Sequence, residues 1–145
     1  MISTRGENGK LIKQIPLQYL EDKYWLLLDD MKHKLHNGDE IIIPKGMKTD
    51  LSSTPKFLWG LMPPYGDFLL GAIVHDWLYI SDYQRNKIGF KRAREFADKE
   101  MLIISNEINN NKVDNWIRWA GVRLFGGSVY KRRNYDYTGA NEKNT

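Results

Sequence analysis

The spacing of apolar and polar positions changes period along this chain. Met31, His33 and Leu35 alternate with Lys32, Lys34 and His36, the period of a half-buried strand. Asn37-Gly38 follows, a dipeptide that tolerates the positive φ of a hairpin turn. Glu40 to Ile43 then reads as the returning strand, stopped by Pro44. Upstream, the pattern is extended from Leu11, and Tyr24 to Leu28 is a short apolar run. The first third is therefore expected to be a small antiparallel sheet behind a loose, polar lead-in over residues 1–10. Residues 44–55 are dense in turn formers and hydroxyls, and Ser53 or Thr54 could cap a short helix starting at Pro55. Pro63-Pro64 makes the stretch from Gly60 to Gly66 a loop.

From Asp67 the period becomes helical. Asp67 to Ser81 is apolar on nearly all sides, so it predicts the buried helix, with Asp67 as its N-cap. Phe90, Ala93, Ala97, Met101 and Ile104 form one stripe on a second helix over about 90–106, with Arg94 and Asp98 as an i,i+4 pair on its border. Asn109-Asn110-Asn111 breaks the chain. Asp114 is placed to cap a third helix over 115–125, with Trp116, Ala120 and Leu124 as its apolar face and Gly126-Gly127 as its stop. The fold expected is α+β, a small N-terminal antiparallel sheet followed by about three main helices. It is read as a single domain over 1–145, ending in a basic, Tyr-rich arm over 128–145.

Composition narrows the classes. With 145 residues, 41% of them hydrophobic, and five Trp, the chain can bury a core. The longest apolar run, Phe68 to Val74, is far short of a membrane span. The absence of cysteine excludes a disulfide or cysteine-zinc framework. The net charge of +4 is a mild excess, read as solvated surface rather than as a nucleic-acid footprint. The start, Met1-Ile2-Ser3-Thr4-Arg5, lacks the charged-then-apolar pattern of a secretory leader.

The chemistry concentrates in Ala72-Ile73-Val74-His75-Asp76-Trp77-Leu78-Tyr79. A buried helix does not carry His-Asp without partners, because an unpaired buried charge costs several kcal/mol. His75 and Asp76 point about 100° apart around a helix, so Asp76 cannot orient His75. Tyr79 shares their face. Asp98, on the next antiparallel helix, can reach the imidazole from the other side, which leaves Asp76 to a cation. The plainer reading of Asp98 is a surface ion pair with Arg94. His33 and His36 fall on opposite faces of their strand, cannot grip one metal together, and are read as surface or strand-edge residues.

The His-Asp-x-x-Tyr helix followed by a second Asp resembles the core of bacterial phospholipase A2. That resemblance covers about residues 67–98 and implies His75 as general base, Asp98 as its partner, Tyr79 as a support and Asp76 as a calcium ligand. The chain lacks that family's disulfides, and the stretch from Trp59 to Gly66 is not its calcium loop. A broader resemblance runs from about Ile41 to Gly127. Ile43-Pro44-Lys45-Gly46-Met47-Lys48-Thr49-Asp50-Leu51-Ser52-Ser53-Thr54-Pro55, then Ala72 to Tyr79, then Arg94 with Asp98, then Val122-Arg123-Leu124-Phe125-Gly126-Gly127 are similar in order to the phage and prophage family called domain of unknown function 1353. Met47 stands where that family usually has Phe, and Ser52 where it has Ala.

The resemblance implies a phage-encoded origin, a place in the host bacterial cytoplasm or the virion, and no assigned activity. The candidate site residues are His75 and Asp98 as the catalytic pair. Thr49, Asp50, Ser52, Tyr79, Arg94 and Arg123 are supports, and Asp76 is a metal ligand, for calcium if any. The leading expectation is a hydrolase-like accessory protein acting on an ester or phosphoester. The alternative is a non-catalytic virion or tail component, or a binder of a host protein or envelope component. There the same residues form a buried network and the Tyr- and Arg-rich arm makes the contacts.

Overall fold

The computed structural model describes residues 1–20, 24–49 and 66–133, with side chains as far as Gly126. In chain order the elements are β1 (Ile2–Ser3), β2 (Leu17–Tyr19), β3 (Trp25–Leu27), β4 (Met31–Lys34), β5 (Glu40–Ile43) and β6 (Lys48–Thr49). A 3-10 turn (Gly66–Phe68) then leads into α1 (Leu69–Ile80), α2 (Arg85–Ile88), α3 (Phe90–Ile108) and α4 (Lys112–Arg133). The class is α+β, as the two periods require. Asp50, Ser52, the helix expected at Pro55 and the loop from Gly60 to Tyr65 lie outside the described residues, as does the expected arm beyond residue 133.

The strands make two three-stranded sheets, ordered β1-β4-β5 and β2-β3-β6. The predicted hairpin is β4 with β5, in the register Met31↔Ile43 to Lys34↔Glu40. Its turn is wider than two residues. The Leu35 amide donates to the Asp39 carbonyl, and Gly38 sits at φ 92°. That positive φ is cheap only for glycine. The second sheet is antiparallel throughout, with Trp25 paired to Thr49.

The amino terminus is not a loose lead-in. β1 joins β4 in parallel, Ile2↔Met31. Thr4 is buried, its Oγ1 2.8 Å from His33 Nδ1. Arg5 forks onto Glu107 of α3 at 2.7 and 3.0 Å. Polar residues here are tied down by partners distant in the chain, which local pattern cannot reveal.

One core joins the layers. Leu27, Met31 and Ile43 from the strands, with Leu35 and Met47 beside them, meet Leu70, Ile73, Val74 and Leu78 of α1 and Ala93, Ala97 and Ile104 of α3. α1 crosses α3 closely at Gly71, where an added Cβ would meet Ser105 Oγ at 3.2 Å and the Met101 carbonyl at 3.3 Å. Asp67 does not cap α1. It lies in the 3-10 turn, with Lys13 Nζ 3.5 Å away, still favourably close to the positive end of the helix.

α4 departs most from expectation. It starts earlier, with Asn111 as the residue before its first turn. The Asp114 amide lies 3.4 Å from Asn111 Oδ1, and Asn111 Nδ2 donates to Asp114 Oδ2 at 2.6 Å. Cap and third residue exchange bonds, so Asp114 is inside the helix rather than its cap. The helix also runs through Gly126-Gly127 and past the start of the expected arm at residue 128. Gly126 is there for contact. A Cβ on it would lie 3.0 Å from the Tyr79 hydroxyl. The packed face is Asn115, Arg118 and Gly126, while Trp116 and Leu124, expected to face the core, are 58% and 77% exposed. Polar anchors turn this helix over: Asn115 Nδ2 bonds Asn106 Oδ1 at 2.9 Å and Asn109 Oδ1 at 3.0 Å. Among the described residues, no helix is long and apolar enough to cross a membrane.

Candidate functional site

α1 presents its polar residues in two directions. His75 and Tyr79, one turn apart, lie with ring centroids 4.1 Å apart and planes tilted by 45°, and both face α3. Asp76, about 100° round the helix, faces the second sheet, where Thr49 Oγ1 donates to Asp76 Oδ2. Thr49 is held at β6 by its pairing with Trp25, and both Thr49 and Asp76 are buried.

Asp98, fully buried on α3, is the hub of the first group. Its Oδ1 accepts from His75 Nε2 at 2.7 Å and from the Tyr79 hydroxyl at 2.5 Å. Its Oδ2 accepts from Arg123 Nη1 of α4 at 2.7 Å. The Arg94 Nε, the i,i+4 neighbour that a surface ion pair would use, is 4.0 Å from Oδ2 and is the weakest contact of the set. Arg94 serves chiefly elsewhere. Its Nη2 donates to the carbonyls of Val122 and Arg123 at 2.7 and 2.6 Å, clamping α4. Asp98 thus joins α1, α3 and α4.

The electrostatics follow from burial and donors. Burial alone would raise the Asp98 pKa, but the bonds from His75, Tyr79 and Arg123 outweigh it and hold the carboxyl below its ordinary range. Burial, reinforced by the Asp98 charge, pushes the Tyr79 phenol far up, so it remains a donor. A carboxylate only accepts, so Nε2 of His75 carries the proton. In the neutral ring Nδ1 is then the lone-pair nitrogen. Among the described residues, Asp98 is the hydrogen-bond partner of His75.

Asp76 supplies one carboxylate, and a calcium ion takes six to eight oxygens. Among the described residues no cluster of three or more His, Asp or Glu side chains is arranged to hold a metal. The described residues do not by themselves make the calcium site that the phospholipase resemblance implies. A cleft of about 430 Å³ opens between α3 and α4, lined by Glu95, Lys99, Leu102, Trp119 and Arg123. It reaches Asp98 through Arg123.

A second network escaped the sequence reading. Glu100, 2% exposed, bonds His33 Nε2 at 3.0 Å, the His36 amide at 2.8 Å and His36 Nδ1 at 2.5 Å. The two histidines converge although strand alternation placed them on opposite faces. β4 ends at Lys34, so alternation no longer governs His36, which turns back toward α3 and stacks on Phe96 with centroids 4.3 Å apart. One signal was available. Glu100 falls within the apolar stripe of Ala93, Ala97, Met101 and Ile104, where a charge needs a partner.

The family model described as "protein of unknown function (DUF1353)" matches residues 25–122, and the chain belongs to that family. The match takes in Thr49, His75, Asp76, Tyr79, Arg94 and Asp98, and ends one residue before Arg123. No curated protein and no solved structure matches.

Proposed function

We propose that this is a phage- or prophage-encoded accessory protein whose His75–Asp98 pair activates water for hydrolysis of an ester or phosphoester. The observation that carries the reading is the 2.7 Å bond from His75 Nε2 to a carboxylate that is itself held ionised. It fixes the ring and leaves Nδ1 as the base. In the step proposed, Nδ1 takes a proton from water as the water oxygen bonds to the carbonyl carbon or phosphorus. Asp98 stabilises the imidazolium, and the proton then passes to the leaving alkoxide. General-base help of this kind contributes roughly 10²–10⁴-fold.

A second reading has its own support. Asp98 is fully buried and His75 only 6% exposed, which suits a network that fixes three helices in a non-catalytic virion or host-binding component.

The test uses the full chain with p-nitrophenyl butyrate and bis(p-nitrophenyl) phosphate as ester and phosphodiester probes. Hydrolysis above background, lost about 100-fold or more in His75→Asn while the thermal melt is retained, supports catalysis. No turnover of either probe, or turnover that His75→Asn leaves unchanged, favours the structural network.

A further inference from the structure

α4 carries its apolar residues on the outside. Val113, Trp116 and Leu124 are 70%, 58% and 77% exposed, and Ile117 and Ala120 between them are half-buried. At 100° per residue these five lie on one stripe, opposite the packed face of Asn115, Arg118 and Gly126. From Val113 to Leu124 the stripe spans about 16 Å and carries no charge. The Trp116 and Trp119 rings lie 6.4 Å apart at its border. Exposed contiguous apolar surface of this kind marks an interaction site rather than ordinary surface.

Charge identifies the occupant. α4 holds six basic residues, Lys112, Arg118, Arg123, Lys131, Arg132 and Arg133, against one acid, Asp114, a net +5 where the whole chain has +4. Arg118 is buried and Arg123 is engaged with Asp98. That leaves Lys112, exposed at one end of the stripe, and the sequence run Lys131-Arg132-Arg133 in the last turn of the helix at the other. A second copy of the chain would set two such helices side by side against their own repulsion. Five apolar side chains also fall short of the roughly 800 Å² per partner of a stable protein interface. A nucleic acid would have its phosphates opposed to Val113, Ile117 and Leu124, which offer no donors. A bilayer surface with anionic headgroups suits both features. Its interface accepts Trp and aliphatic side chains a few ångströms deep, and its charge attracts basic residues flanking them.

We infer that α4 is an interfacial helix that lays its Val113–Trp116–Leu124 stripe on an anionic lipid surface. This stands independently of whether His75 is catalytic. It differs from a membrane span, since the helix would lie along the surface and remain clamped to α3 by Arg94.

The full chain is mixed with vesicles of phosphatidylcholine, with and without phosphatidylglycerol, and sedimented. Binding to the phosphatidylglycerol vesicles is expected, reduced about tenfold or more by Leu124→Glu. The triple change of Lys131, Arg132 and Arg133 to Gln should reduce it about a hundredfold, roughly fivefold per charge. Both variants should keep the wild-type thermal melt, because neither alters a described packing contact. The inference is overturned by absence of binding to anionic vesicles. Equal binding to neutral vesicles overturns it too, as does a wild-type dimer in light scattering that Leu124→Glu dissociates without any vesicle binding.

Discussion

α3 carries two buried carboxylates two residues apart, and they serve opposite sides of the molecule. Asp98 faces α1 and α4, where a guanidinium, an imidazole and a phenol surround it. Glu100 faces the β4–β5 hairpin, where two imidazoles and a backbone amide do so. Both are held below the ordinary carboxylate range, against the pull of burial, by the bonds they accept. The difference is the counter-charge. Asp98 meets Arg123, a permanent cation. Glu100 is paired with histidines, one of them, His36, 21% exposed at the side chain. An ion pair whose cation does not titrate suits the junction of three helices. A histidine-based clasp suits the join between a hairpin and a helix, where one partner can turn to solvent.

The largest effect expected is at Asp98. Asp98→Asn keeps the volume but leaves the Arg123 charge and the Tyr79 and His75 donors around a neutral amide. Breaking a buried pair by removing one partner costs about 3–5 kcal/mol. Glu100→Gln retains an acceptor oxygen, and His36 can turn outward, so about 1–3 kcal/mol is expected. Urea unfolding of both variants measures the gap. A Glu100→Gln cost equal to or above that of Asp98→Asn would show that the guanidinium is not what distinguishes the two sites.

Acid sharpens the comparison next. A carboxyl with a lower pKa folded than unfolded binds more protons when unfolded. Its stabilisation is present above the unfolded pKa, near 4, and is lost as pH falls through the lower folded value. Wild-type stability should therefore decline below about pH 5, and each single variant should flatten part of that decline. Melts taken in steps from neutral to acidic pH read this directly. A variant whose acid profile overlays the wild type would remove that carboxylate from the account.

How much of this was legible depended on where the partners lay. The His75–Asp98 contact could be anticipated because helix geometry gives each residue a direction and two adjacent helices leave few alternatives. The β4–β5 hairpin was legible because Asn37-Gly38 and the alternation around it agree. The Glu100 network was not, because it joins a turn to a helix 64 residues away, and strand alternation misdirected His36. Orientation of α4 was missed for a related reason. Trp116, Ala120 and Leu124 have core-forming spacing, but the packed face is chosen by Asn115 and by the Arg94 clamp. Gly126-Gly127 reads as a helix stop in isolation, and only the Tyr79 hydroxyl against Gly126 shows why the helix continues there.

That last contact gives the smallest and most balanced prediction. Gly126→Ala should stabilise α4 by roughly 0.5–1 kcal/mol through helix propensity alone. The added Cβ would sit 3.0 Å from the Tyr79 oxygen and 3.5 Å from Arg94 Nη2. The phenol cannot simply yield, because it donates to Asp98, and Arg94 is committed to two carbonyls of α4. Overpacking at such a point costs about 1–3 kcal/mol, so the clash wins and a net loss near 1 kcal/mol is expected. Removing the hydroxyl should change the balance. In the Tyr79→Phe background, Gly126→Ala should become neutral or stabilising, because the atom it meets is gone. A double-mutant cycle by urea unfolding reads the coupling between the two positions. Additive effects would mean that Gly126 is tolerated rather than required, and that α4 is held on the Asp98 side by its arginines alone.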